Sequence, residues 1–269
     1  MKRELDILVL SDLHLGTFGC RARELNQYLR SVQPKMIVLN GDIIDIWQFK
    51  KSYFPKQHMQ VIRKLLKFAK DIPVYYITGN HDEALRRYSG HQFGNLHLVD
   101  KLVLEVDNKK YWFFHGDIFD TTMKCAKWLA KLGAIGYDTL IMTNSIVNWI
   151  LERLGRERMS FSKKIKNSVK KAVSYISEFE QTAADIAIDQ GYDYVVCGHI
   201  HQPEMREIKG NKGSVMYLNS GDWIENLSAL EYVNGKWSMY RFGEAILEHY
   251  QEQENEVPEL ELMLSSLVS

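Results

Sequence analysis

The chain has 269 residues, with 34 Lys and Arg against 34 Asp and Glu, and 45% hydrophobic side chains. That length can bury a sizeable core, and a formal net charge of zero argues against a generally basic nucleic-acid binder. The three cysteines, Cys20, Cys125 and Cys197, are odd in number and show no CxxC spacing. They suggest neither a disulfide framework nor a zinc finger.

The start of the chain, Met1 to Glu4, runs into a short apolar segment that is too brief and too soon acidic for a signal peptide. No apolar stretch approaches the roughly 18–20 residues of a membrane span, so the expected location is cytoplasmic. Leu5–Leu10 reads as a strand buried on both faces. A helix follows over Arg21–Ser31, a strand over Met36–Leu39, a helix around Gln57–Lys70 and a strand over Pro73–Ile77. This βαβαβ order predicts a layered α/β fold. Further strands are expected at Leu102–Val106, Tyr111–Phe114, Tyr194–Cys197, Val215–Leu218, Leu227–Tyr232 and Trp237–Arg241. Asn234-Gly235 marks a hairpin between the last two, and Cys197 reads as a small core residue.

Between His115 and Gly191 the pattern turns helical, at Thr121–Lys131, Asp138–Leu154 and Phe161–Gln190. In the last of these, Phe161, Ile165, Val169, Val173, Ile176 and Phe179 mark one apolar face. Local charge is uneven. Arg153 to Lys171 carries eight Lys or Arg and a single acid, while Glu244 to Glu261 has seven Glu and no Lys or Arg. The expected organisation is one domain over 1–269, with a helical cap inserted at about 118–190 and an acidic tail at about 244–269.

Five short motifs follow strand-like runs: Asp12-Leu13-His14, Gly41-Asp42-Ile43-Ile44-Asp45, Gly79-Asn80-His81-Asp82, His115-Gly116-Asp117 and Gly198-His199-Ile200-His201. Loops at the C-terminal ends of strands in an open α/β sheet converge on one crevice. Their carboxylates, amide and imidazoles form an O/N donor set suited to Mn²⁺, Fe²⁺ or Zn²⁺. Asp12 and His14 alternate along an extended chain and can reach one ion, and Asp42 is the natural carboxylate to bridge two. A metal pair of this kind clamps the oxygens of an in-line phosphoryl displacement. The remaining histidines, His58, His91, His97 and His249, read as surface or satisfied core residues. Asp222 and Trp223 follow a strand near Gly198–His201 and fit either the site or an ordinary turn.

The five motifs resemble the calcineurin-like metallophosphoesterase family, whose pattern is DxH, GDxxD, GNHD/E, a lone His and GHxH. The resemblance implies a two-sheet β-sandwich flanked by helices and a centre of two divalent metal ions, with Mn²⁺ foremost and Fe or Zn²⁺ as alternatives. It implies that Asp12, His14, Asp42 and His201 hold one ion and Asp42, Asn80, His115 and His199 the other. His81 then gives a hydrogen bond or a proton to the substrate, oriented by Asp45. A narrower resemblance, to the UDP-2,3-diacylglucosamine pyrophosphatase branch, rests on Ser11–Gly16, the helical insertion after His115–Asp117, and Tyr217–Trp223. It implies a UDP-sugar lipid substrate and contact of the cap with the inner-membrane surface. The best-known members of that branch carry Arg where this chain has His81, and their run after HGD differs from Ile118–Met123 here. Sugar and uridine contacts are therefore not assigned. The alternative is a phosphodiesterase or phosphatase acting on a soluble nucleotide or phosphoester; a nucleic-acid partner is not expected.

Overall fold

The computed structural model describes residues 2–47, 53–119 and 161–243, with the backbone alone over 161–172. The helices expected at Thr121–Lys131 and Asp138–Leu154, the acidic tail and His249 lie outside these residues, as does Cys125.

Two sheets face each other. The first has seven strands in the order β14-β13-β2-β4-β5-β7-β6, and the second five in the order β11-β12-β10-β9-β8. The first is built from β2 (Ile7–Leu10), β4 (Ile37–Asn40), β5 (Val74–Ile77), β6 (Gln92–Phe93), β7 (Leu96–Val99), β13 (Ser228–Val233) and β14 (Lys236–Arg241). The second is built from β8 (Lys101–Val106), β9 (Lys109–Phe114), β10 (Tyr194–Cys197), β11 (Glu204–Gly210) and β12 (Gly213–Asn219). A small parallel pair, β1 (Arg3–Leu5) and β3 (Val32–Pro34), stands beside the first sheet.

Side-chain alternation sorts the layers. Ile7 and Val9 of β2 join Val38, Ile77, Phe113, Val196 and Leu218 in the core between the sheets. Leu8 and Leu10 of the same strand face the other way. They pack with Leu25 and Leu29 of α1 (Ala22–Ser31) and Val61 and Leu65 of α2 (Lys56–Asp71). The outer face of the second sheet packs on α3 (Phe161–Asp189) through Phe179, Ala183, Ala184 and Ala187. The result is four layers, helix–sheet–sheet–helix, the two-sheet sandwich that the family resemblance implies.

The structure departs from the sequence reading in detail. The Leu5–Leu10 run is broken at Asp6, whose carboxylate accepts from Lys35 Nζ and the Asn234 backbone N–H. Strands β3, β6, β7 and β11 have no strong period-2 signal. In α3 the apolar face runs through Tyr175, Phe179 and Ala183, and Val173, expected on it, is 61% exposed. Cys197 is fully buried, as expected of a core residue. Among the described residues no helix is long and apolar enough to cross a membrane.

Phe113 is fully buried between the sheets. Phe113→Ala removes its ring from both faces of that core, and we expect a loss of about 3–5 kcal/mol in the free energy of unfolding by urea titration.

Candidate metal centre

Strands β2, β4 and β5 run parallel, as do β9, β10 and β12. The loops after all six strands emerge at one end of the sandwich and bring the five motifs together. Hydrogen bonds join the two sheets there. Ser11 Oγ lies 2.7 Å from Ser220 Oγ, Asn40 Nδ2 donates to the Val196 carbonyl, and the Trp223 amide donates to the Asp12 carbonyl.

The backbone at this end is unusual. Asp12, His14, Asp42, His199 and His201 all have positive φ, from 47° to 69°. Asp and His tolerate this left-handed region better than most residues, at a cost of order 1 kcal/mol or more each. Gly41 has φ +85°, and a Cβ there would sit 2.2 Å from His115 Nδ1. A Cβ at Gly79 would sit 2.2 Å from Asp42 Oδ1. Both glycines are needed because side chains from neighbouring strands occupy the space.

Two sets of donors result: Asp12, His14 and His201, and Asp42, His115 and His199, the atoms of each set lying within 4.8 Å of one another. His201 Nε2 is 3.1 Å from Asp12 Oδ1, and His115 Nε2 is 3.3 Å from Asp42 Oδ2. His14 Nε2 lies 3.4 Å from His201 Nε2, 3.9 Å from Asp42 Oδ2 and 4.0 Å from Asp12 Oδ1. Asp42 therefore neighbours both sets. Asp12 Oδ1, Asn80 Oδ1 and His115 Nε2 are buried without a hydrogen-bond partner, despite the closeness of some of these contacts. Donors that share an ion at about 2.1 Å stand roughly 3.0–3.4 Å apart with their lone pairs aimed at a common point. The spacing and the orphaned atoms fit bound metal, so these residues suit the group.

The surroundings fix which atom of each ring faces inward. His115 donates from Nδ1 to the Asn40 carbonyl at 2.9 Å, leaving Nε2 for the site. Asp45 Oδ2 lies 3.3 Å from His14 Nδ1 and 2.8 Å from His81 Nδ1, so one carboxylate oxygen serves two rings. Asp45, His14 and His81 also lie close enough to form a donor set, but Asp45 meets the Nδ1 side of both rings. The other Asp42 oxygen accepts the His81 amide, and Asp12 Oδ2 accepts the His199 amide.

Burial opposes ionisation of Asp12 and Asp42, but His201 beside the first and His115 beside the second hold both carboxyls below the usual range. Burial likewise opposes charge on the rings. Asp12 outweighs it at His201, which is pushed up to about 9, and Asp42 outweighs it at His115. At His81 burial is again outweighed, chiefly by Asp45, and the ring is raised.

Every candidate residue from the sequence is at this end of the molecule: Asp12, His14, Asp42, Asp45, Asn80, His81, His115, His199 and His201. Three supporting residues were not singled out as such. Asp82 is fully buried and accepts from the Gly79 and Ile43 amides and from Tyr76 Oη, tying two motif loops together. Asn219 donates to the Gly198 carbonyl and holds the loop that carries His199. Asp222, left open above, caps the 224–226 turn through Oδ1 and places Oδ2 3.9 Å from His201 Nδ1. Asp82 lay inside one of the five motifs, and Asn219 and Asp222 inside the Tyr217–Trp223 run. The other two act through tertiary contacts that spacing does not reveal.

Residues 5–203 match the calcineurin-like phosphoesterase family. A UDP-2,3-diacylglucosamine hydrolase of Aliivibrio fischeri is 24% identical, over 88% of this chain and 98% of its own length. The DNA double-strand break repair protein Mre11 of Methanococcus maripaludis is 26% identical, over 84% of this chain and 60% of its own. Among solved structures, a phosphoesterase from E. coli aligns over 88% of this chain at 12% identity, with a TM-score of 0.42. The family uses a dinuclear metal centre, and the donor sets in this chain suit one. The chain belongs to the calcineurin-like phosphoesterase family and is a metal-dependent phosphoesterase.

Proposed function

We propose that the protein is a two-metal hydrolase that cleaves the pyrophosphate of UDP-2,3-diacylglucosamine or a similar UDP-sugar lipid and releases UMP. The hydrolase part rests on one observation: two donor sets, Asp12, His14 and His201 and Asp42, His115 and His199, gather at the strand ends beside orphaned, buried oxygen and nitrogen atoms of Asp12, Asn80 and His115. In this reading Asp12, His14, Asp42 and His201 hold one ion, and Asp42, Asn80, His115 and His199 the other. The mixed O/N set suits Mn²⁺, and Fe or Zn²⁺ as well. Such a pair supplies Lewis-acid charge at the phosphoryl oxygens and an activated water.

The chain's own residues then do the rest. Asp12 and Asp42 carry the charge that draws cations to the site, and Asn40 and Asp45 aim the rings of His115 and His14. His81, its Nδ1 against Asp45, turns Nε2 to the substrate and gives a hydrogen bond to a phosphoryl oxygen or a proton to the leaving oxygen. The lipid part is supported by relatives such as those of Aliivibrio fischeri and Stenotrophomonas maltophilia, which align along nearly their whole length. In this reading residues 118–190 form a cap of the single domain 1–269. It shelters acyl chains, and its basic stretch faces the anionic membrane surface. A soluble nucleotide or phosphoester is the second reading, favoured by His81 in place of the lipid branch's Arg.

Three outcomes follow. In Mn²⁺-supplemented assays, UMP release from UDP-2,3-diacylglucosamine should far outpace turnover of bis(p-nitrophenyl) phosphate; diester turnover without lipid cleavage would select the soluble-substrate reading. Asp42→Ala should abolish hydrolysis and lower the metal content measured by mass spectrometry, as chelation of the wild type should abolish hydrolysis. His81→Ala should cut turnover by about 100-fold or more while metal content stays near two per chain; loss of metal in that variant would overturn its role as a proton donor.

A further inference from the structure

The loop that carries His14 continues into a cleft of about 470 Å³, within the ordinary range of small-molecule sites. Its walls include Phe18, Arg21, Arg23, Tyr53, Gln57 and His58. Phe18 is 77% exposed, and its ring meets that of Tyr53, centroids 3.8 Å apart at 33°. An aromatic side chain held out in solvent only four residues beyond a candidate metal ligand contributes little to the core, but it offers a flat face to a ligand.

The polar groups around it have a defined sense. His58 is 3% exposed, and its Nδ1 accepts the Gly16 amide at 2.9 Å. The ring proton of the neutral form is therefore on Nε2, a donor on a side chain that lines the cleft. Burial also lowers the pKa of this imidazole, which favours the neutral form. Arg21 and Arg23 bring positive charge at the start of α1, where no side chain caps the helix. Glu24, also in the lining, adds an acceptor.

The position matters as much as the lining. The cleft is bounded by the continuation of the Asp12–His14 loop and by Ile224, two residues after Asp222, which lies 3.9 Å from His201. It thus adjoins the Asp12, His14 and His201 set. The chain leaves toward residues 120–160 from the other set, just after His115, and returns along α3, whose Phe179 ring is 6.1 Å from that of His199. A substrate lying across both donor sets has one end toward this cleft and the other toward Phe179 of α3.

We propose that the cleft is the subsite for the nucleoside half of the substrate, with the base stacked on the Phe18–Tyr53 pair and its edge met by His58 and the arginines. This assignment rests on the nucleotide-sugar reading above and adds to it where the nucleotide sits.

The test uses the Mn²⁺-loaded protein and calorimetric binding of two probes, UMP and inorganic phosphate. Phe18→Ala, a change at an exposed side chain, should weaken UMP about tenfold and phosphate less than twofold, and Phe18→Tyr should restore UMP binding. Equal weakening of both probes, or of neither, would overturn the cleft assignment while leaving the nucleotide reading intact. If the wild type binds phosphate but not UMP at millimolar concentration, the nucleotide reading itself fails and the subsite with it.

Discussion

Two carboxylates that cannot reach water dominate this structure. Asp12 and Asp42 are both essentially buried, and Asp42 raises the cost of charge on Asp12. A buried carboxylate is expensive unless opposite charge or strong donors surround it. The neighbouring residues are organised to meet that need. Backbone amides of His81 and His199 point at the outer oxygens, and the rings of His14, His115 and His201 line the inner ones. Cation binding answers the same constraint, since a bound ion would supply compensating charge beside the carboxylates.

The backbone carries the corresponding strain. Left-handed residues at five candidate ligands turn the chain sharply as it leaves each strand, so that side chains from separate loops meet in a small volume. Gly41 and Gly79 leave room for His115 and Asp42, and Asp82 binds the two loops through three donors. The sheets beneath supply the rigidity. Their shared core of aliphatic and aromatic side chains sets the distance over which Asn40 reaches Val196 and Ser11 reaches Ser220.

Much of this was legible in the sequence because the motif residues are polar and fall at the ends of apolar runs. The βαβαβ order and the hairpin at Asn234-Gly235 needed only local pattern, and the nine candidate residues were named from the five motifs and the family resemblance these carry. What was not legible depends on distant partners. Strand β3 forms by pairing with β1, β7 by pairing with β5, and β11 by pairing with β12. Val173 looked apolar-facing because helical spacing does not say where the sheet ends. Asn219 and Asp222 stood in the Tyr217–Trp223 run, but their roles come from reaching the loops that carry His199 and His201.

The placement of β13 bears on how the protein is made. This late strand pairs directly with β2, setting Leu230 against Val9, and Trp223 closes onto the Asp12 carbonyl. Synthesis proceeds from the N-terminus. A nascent chain therefore displays Asp12, His14, Asp42 and Asn80 long before His199, His201 and the strand that seals them exist. Such non-local pairing is slow to form. The first sheet keeps an open edge on β2 until residues 228–233 have emerged, and the phosphoesterase centre is not completed before the residues that follow β12 are made.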